Sequence, residues 1–336
     1  PTRSLDVLDL DTEPRKILVV DDNAYSRLTT VDALTSSGCY QVLEAGSGQA
    51  AVGMAEEFQP EVILLDIFMP DIDGFTLCRQ FKKSATTRHI PVMFTTVSKD
   101  RVDHERCLSV GGDDFLLKPL ERLTLLSRVR SLIEQKRLQE DLRQTEQVLF
   151  EIAATVENRF PDQGDSSIRL IALSQSFGNF LGLSSEDILK LKYSARLHDI
   201  GTIGIPDAVL LKQGKLTAAE KQLVQQHVLF GEKLCQPLRH RCDITPIVRH
   251  HHERWDGSGY PDQLVGEQIP FLAQIFQILD IFTALTHERP HKASLTSSEA
   301  LAILHEESEK GWRNPSLCQQ FDDFIRSTQN LGIPSK

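Results

Sequence analysis

The six cysteines (Cys39, Cys78, Cys107, Cys235, Cys242 and Cys318) are scattered, with no C-x-x-C pair among them. That argues against a disulfide framework and for buried or inert thiols in a reduced, cytoplasmic setting. No apolar run approaches the roughly 20 residues needed to cross a bilayer, and no basic-then-apolar signal pattern opens the chain, so membrane insertion is not expected. Positive charge is also short. The net charge is −10, which excludes non-specific attraction to nucleic acid, and no basic recognition helix offers direct DNA contacts. An anionic ligand would therefore need metals or a few arginines. What remains is a soluble globular composition, 40% hydrophobic and 25% charged over 336 residues, long enough for two or three domains.

The densest chemistry lies in His250-His251-His252-Glu253-Arg254-Trp255-Asp256-Gly257-Ser258-Gly259-Tyr260-Pro261. Consecutive imidazoles beside a carboxylate suit bases or metal ligands, and the glycine-rich run after them suits an ordered loop closing over a site. The plainer alternative is a polar helix end with its exit loop. The rest of the chain must decide.

Residues 1–15 are polar, contain Pro14 and read as a flexible lead-in. From 16 to 132 the pattern is that of a doubly wound parallel sheet. Lys16–Val20, Glu61–Asp66, Pro91–Thr96 and Phe115–Pro119 are apolar strands, with helical patterns between them. Active sites in such sheets lie at the carboxyl ends of the strands. Asp21, Asp22, Asp66, Thr96 and Lys118 are thus expected on one edge, where carboxylates hold Mg²⁺, an aspartate accepts a phosphoryl group, and a hydroxyl and an amine read it.

Here the chain strongly resembles the receiver domain of bacterial response regulators, a flavodoxin-like α/β fold. The separations Asp22–Asp66 (44), Asp66–Thr96 (30) and Thr96–Lys118 (22) match that family, as does Asp66-Ile67-Phe68-Met69-Pro70-Asp71-Ile72-Asp73-Gly74. The resemblance implies phosphorylation at Asp66 by a sensor histidine kinase, Mg²⁺ on Asp21 and Asp22, and Thr96 with Lys118 as the switch pair. Phe115 takes the aromatic switch position, commonly tyrosine.

No glycine or proline interrupts Leu120 to Asn158, which predicts one long helix and makes 133–156 a helical linker. Leu142, Thr145, Leu149, Ile152 and Val156 form a stripe at coiled-coil spacing. It points either to a homodimer or to packing against the chain's own domains.

From 157 to 336 the chain reads as nearly all helix. Helices are expected over Ile168–Leu181 and Leu189–Leu197, the latter behind a capping box formed by Ser184 and Asp187. Another, Thr217–Leu234, carries His227. His198-Asp199 ends the second of these helices, and Asp280 lies in the apolar helix Gln277–Phe282, where burying it unpaired would be costly. Imidazoles with hard carboxylates suit Fe, Mn, Ni or Zn, in sufficient number for two ions.

This half resembles the HD-GYP family of cyclic di-GMP phosphodiesterases, an all-α metal-dependent phosphohydrolase fold. The resemblance rests on His198-Asp199-Ile200-Gly201 with Ile203-Gly204-Ile205-Pro206, and on Lys215-Leu216-Thr217 ahead of His227 and Gly231. It continues through His251–Pro261, Gly266–Pro270, Asp280, Ala284-Leu285-Thr286 and Arg289-Pro290. It implies that His198, Asp199, His227, His251, His252 and Asp280 hold a binuclear centre, Fe or Mn before Ni or Zn, with Asp199 bridging and catalytic. The reaction implied is hydrolysis of cyclic di-GMP to pGpG and onward to GMP, governed by phosphorylation of Asp66. His250 falls outside the family's His-His pair. Arg289 is the candidate phosphate or guanine contact, and the Gly257–Pro261 loop is expected to shape the rim or to meet GGDEF-type or other signalling proteins.

The chain departs from the family at four places. Thr202 replaces a lysine and His291 a tyrosine, both at substrate-facing positions. Gly164-Asp165-Ser166 replaces G-H-S, so a third metal is not implied, although Asp165 keeps a carboxylate there. Thr283 stands where aspartate is usual. With the metal-binding set retained and the substrate-facing shell altered, slow or condition-dependent turnover is expected. The alternatives are a metal- and nucleotide-binding sensor without hydrolysis, and an enzyme for another cyclic dinucleotide.

Overall fold

The computed structural model describes residues 14–98, 100–159, 166–239, 242–287 and 294–330. Two compact units divide the chain, the boundary falling between Asp141 and Leu142.

The first unit runs β1 (Arg15–Val20), α1 (Ala24–Thr35), β2 (Tyr40–Ala45), α2 (Gly48–Phe58), β3 (Val62–Asp66), α3 (Gly74–Lys83), β4 (Val92–Thr96), α4 (Arg101–Ser109) and β5 (Asp114–Leu117). The strands form one parallel sheet in the order β2-β1-β3-β4-β5. Every residue of β3 and β4 is buried, which explains their near-continuous apolar sequences. Four of the five strands were expected. The fifth, β2, is an edge strand whose polar Gln41 and Glu44 interrupt the apolar pattern, so it carries no strong strand signal. Leu18, Val20, Leu65 and Phe94 pack on one face of the sheet, and Ile17, Val19, Leu64 and Met93 on the other.

Beyond the sheet comes α5 (Arg122–Glu157), a single helix as predicted. Its first turns give Leu125, Val129, Leu132 and Ile133 to the sheet's core. Its last turns give Leu149 and Ala153 to a second core containing Leu197, Ile200, Cys235 and Val248, with Ile152 packed against it. The far part of the coiled-coil-like stripe is thus used within the chain itself.

The second unit continues with α6 (Ser166–Phe180), α7 (Ser185–Leu197), a 3-10 turn (Ile200–Gly204), α8 (Asp207–Leu210), α9 (Ala218–Gln225) and α10 (His227–Cys235). After these come α11 (Thr245–His250), α12 (Phe271–Thr286), α13 (Ser297–Glu309) and α14 (Pro315–Asn330). Ser184 caps α7 as predicted, accepting from the Asp187 N–H and donating to its carboxylate at 2.8 Å. One expectation is corrected: the predicted helix Thr217–Leu234 is two helices. Thr217 opens α9 through a capping box with Glu220, and the chain breaks at Gln226 so that His227 begins a new helix. No helix among the described residues is long and apolar enough to cross a membrane.

Gly74 follows the Asp73 cap of α3 and passes so close to β3 that an added Cβ would lie 2.3 Å from the Asp66 carbonyl oxygen. Gly74→Ala is expected to destabilise the first unit by about 1–3 kcal/mol, the usual cost of forcing atoms into a filled space. Urea denaturation followed by far-ultraviolet circular dichroism checks this.

Candidate metal centre

The second unit gathers its polar chemistry where α7, α10, α11 and α12 converge. His198 caps the C-terminus of α7 and Asp199 begins the 3-10 turn. His227 opens α10, His251 caps α11, and Asp280 comes from the buried helix α12. Potential ligand atoms of Asp199, His227, His251 and His252 all lie within 4.8 Å of one another.

The two oxygens of Asp199 face different partners. Oδ1 lies 3.4 Å from His227 Nε2 and 3.9 Å from His251 Nε2, whereas Oδ2 lies 3.3 Å from His198 Nε2. His198 Nε2 is in turn 3.8 Å from Asp280 Oδ1. His198 and Asp280 therefore extend the four-residue cluster on its Oδ2 side.

The tautomers follow from the backbone. Nδ1 of His227 is 2.8 Å from the Val224 carbonyl oxygen, and Nδ1 of His251 is 2.8 Å from that of Val248. A carbonyl only accepts, so both Nδ1 atoms carry the proton and donate it. The Nε2 atoms of both rings face Asp199, and both are buried without a hydrogen-bond partner. With Nδ1 donating, each ring offers Nε2 as a ligand atom toward Oδ1 of Asp199. A cation resolves that arrangement, and imidazole held by its outer nitrogen is the usual setting of a metal ligand. The residues present fit divalent transition metals.

In the first unit, Lys118 Nζ lies 2.8 Å from Asp21 Oδ2 and 2.9 Å from Asp66 Oδ2. Carboxylate oxygens of Asp21, Asp22 and Asp66 cluster within 4.8 Å, a donor set suited to a hard cation such as Mg²⁺. Burial pushes the Asp66 carboxyl up, with Asp21's charge adding to this and Lys118 opposing it. Thr96 is fully buried, its hydroxyl accepting from the Ser98 N–H at 3.0 Å, and Phe115 stacks on His104 with ring centroids 4.0 Å apart. A cleft of about 600 Å³ opens here, lined by Asp22, Asp66, Phe68, Val97 and Lys118.

Comparison with known proteins gives both units a family. The receiver-domain model of response regulators matches residues 17–130, and the HD-domain model matches 137–317. The cyclic di-GMP phosphodiesterase response regulator RpfG of Xanthomonas campestris is 33% identical over 311 residues, covering 86% of this chain and 82% of that protein. The chain belongs to the response regulators that join a receiver domain to an HD domain. A cyclic di-GMP phosphodiesterase of Thermotoga maritima is 28% identical over 335 residues, covering 91% of this chain and 89% of its own length. A 3'3'-cGAMP-specific phosphodiesterase of Vibrio cholerae is 31% identical over 263 residues, covering 76% and 50%.

Within this receiver–HD chain, other predicted residues fall less evenly. Arg289, His291, Gly164 and Asp165 lie outside the described residues. Thr202, expected at a substrate-facing position, is buried, and its hydroxyl donates to the Asp199 carbonyl at 2.8 Å. Thr283 is also buried and turns its hydroxyl back to the Leu279 carbonyl of its own helix. His250 points away from the cluster, with Nε2 3.0 Å from Asp262 and Nδ1 2.8 Å from the Pro246 carbonyl. Gly201 allows the turn after Asp199 to cross α10, since a Cβ there would sit 1.9 Å from the His227 carbonyl oxygen.

The glycine-rich loop is a wall of the HD centre. Tyr260 stacks on His252 with centroids 4.9 Å apart. Glu253 is fully buried and accepts from the N–H groups of Asp262 (2.7 Å) and Leu264 (3.2 Å), so its carboxylate secures the loop. Arg313 donates to the Glu253 carbonyl and to Gln277 Oε1 from the connection between α13 and α14, some 50 residues beyond the loop. No local pattern around Arg313 signals that role.

Burial opposes a charge on His198, but the Asp199 carboxylate beside it, with Asp280 and Glu157 adding to the effect, pushes its pKa up to about 10. Burial and neighbouring imidazoles hold His251 well below its usual value and His252 near about 3. At pH 7 the metal-free protein thus carries a proton on His198 and none on His251 or His252. A metal ligand must be deprotonated, so loading is expected to release the His198 proton at pH 7 and to strengthen as pH rises toward 10. Titrating Mn(II) into weakly buffered protein with a pH indicator measures this.

Proposed function

We propose that the HD unit is a metal-dependent cyclic di-GMP phosphodiesterase of the HD-GYP type, governed by phosphorylation of Asp66 in the receiver. The observation that carries the reading is the pair of buried, backbone-locked imidazoles, His227 and His251, aiming unpartnered Nε2 atoms at Asp199. In this reading His198, Asp199, His227, His251, His252 and Asp280 would hold two divalent ions. The ions are iron or manganese, with nickel or zinc as alternatives.

Bound there, divalent ions supply Lewis-acid stabilisation of the charge that builds on a phosphodiester oxygen. The chain's own residues keep the donors in place. The Val224 and Val248 carbonyls set the tautomers, Thr202 ties the turn to Asp199, and Tyr260 walls His252 off on one side. Cyclic di-GMP is favoured as substrate by the names of the relatives that cover most of their length with this chain. The matching cGAMP-specific enzyme makes 3'3'-cGAMP the competitor to test beside it.

A second reading, a metal- and nucleotide-binding sensor without turnover, draws on Thr202 and Thr283. Both spend their hydroxyls on backbone carbonyls where the family commonly places charged side chains.

Purified protein loaded anaerobically with Fe(II) or Mn(II) is expected to hold about two ions and to form pGpG from cyclic di-GMP. Asp199→Ala is expected to lose both metal and product; an alanine variant with wild-type turnover refutes the site. Two ions with tight nucleotide binding and no product select the sensor. In the receiver, Asp66→Asn is expected to abolish any change in turnover caused by a small-molecule phosphodonor. Equal responses of variant and wild type exclude control through Asp66.

A further inference from the structure

The HD centre has a brace that no motif announces. Arg159 lies two residues beyond the end of α5, and its guanidinium grips the turn that follows His198-Asp199. One terminal nitrogen donates to the Thr202 carbonyl at 2.9 Å and the other to the Ile205 carbonyl at 2.9 Å. Nε donates to Asp207 Oδ1 at 3.0 Å, and the second terminal nitrogen also pairs with that carboxylate. Thr202, held by its carbonyl, returns two bonds to the Asp199 carbonyl, from its N–H at 2.9 Å and from its hydroxyl at 2.8 Å. The guanidinium is therefore one residue removed from the backbone that aims the Asp199 carboxylate. At the last residue of α5, Glu157 accepts from Ser167, and its charge bears on His198.

The planar fork suits this geometry, because its donors diverge at fixed angles where an ammonium is a single point. A turn of five residues (Ile200–Gly204) has little hydrogen bonding of its own to fix its orientation.

We infer that Arg159 is a positioning residue for the metal centre: it couples the C-terminal end of α5 to the Asp199 turn and sets where the Asp199 carboxylate points. The helix running out of the receiver thereby ends on the segment that carries the bridging ligand. This rests on Asp199 being a metal ligand, and not on which nucleotide is hydrolysed.

The test uses Co(II) as probe on the full chain, reading both affinity and the visible absorption of the bound ion, which reports ligand geometry. Arg159→Gln is expected to weaken Co(II) binding by about 10–100-fold, the usual range for residues that orient ligands, and to shift the absorption bands. Arg159→Lys should fall between Arg159→Gln and wild type. Asp207→Asn should change affinity by no more than about twofold, because an exposed ion pair contributes little and both carbonyl bonds remain. A folded Arg159→Gln with wild-type affinity and spectrum overturns the proposal, and so does an Asp207→Asn loss as large as that of Arg159→Gln. If Arg159→Gln does not fold, Arg159→Lys decides, and an unshifted spectrum there overturns it. A wild-type chain that binds no Co(II) overturns the metal centre along with the brace; variants that match a metal-binding wild type count against Arg159 alone.

Discussion

One carboxylate, that of Asp199, organises the second unit. It faces imidazole nitrogens on both of its oxygens, and those of His227 and His251 carry lone pairs with no donor beside them. Holding such groups together in a buried place is unfavourable by itself. Much of the surrounding architecture serves to impose it: the backbone carbonyls that lock Nδ1, the close crossing at Gly201, the buried Glu253 that ties down the loop, and Arg313 reaching in from the connection before α14.

The receiver solves the same electrostatic problem differently. Its clustered carboxylates have a resident cation, since Lys118 lies within 3 Å of both Asp21 and Asp66. There the positive charge is part of the chain itself. In the HD centre the nearest cation is a protonated His198, which must give up its proton before it can ligate. The two sites thus ask for different things from solution, although both are built from aspartates at the ends of regular elements.

Legibility varied with how local the cause was. The buried strands β1, β3 and β4 and the uninterrupted helix α5 could be read from runs and gaps, because full burial leaves an apolar signature along consecutive residues. The edge strand β2 could not, since its polar positions interrupt the apolar run. The break at Gln226 was missed because helix-forming residues continue through it; the close approach of Gly201 to the His227 carbonyl shows how tightly the turn after Asp199 packs there. The stripe along α5 was legible as apolar but not as to its partner, and much of it packs inside the second unit.

The sequence by itself determined which chemical groups this protein has to work with. The spacing of Asp22, Asp66, Thr96 and Lys118 and the order of His198-Asp199, His227, His251-His252 and Asp280 pointed to both sites, because residue types and their separations are read directly along the chain. Only the tertiary structure decided orientation. It turned Thr202 inward to Asp199, sent His250 to Asp262, set Tyr260 against His252, and brought Arg159 and Arg313 to bear from distant segments. The reason is physical: a hydrogen bond or ring contact depends on the direction of a side chain in space, and residues far apart in the chain carry no local mark of the partner that folding will give them.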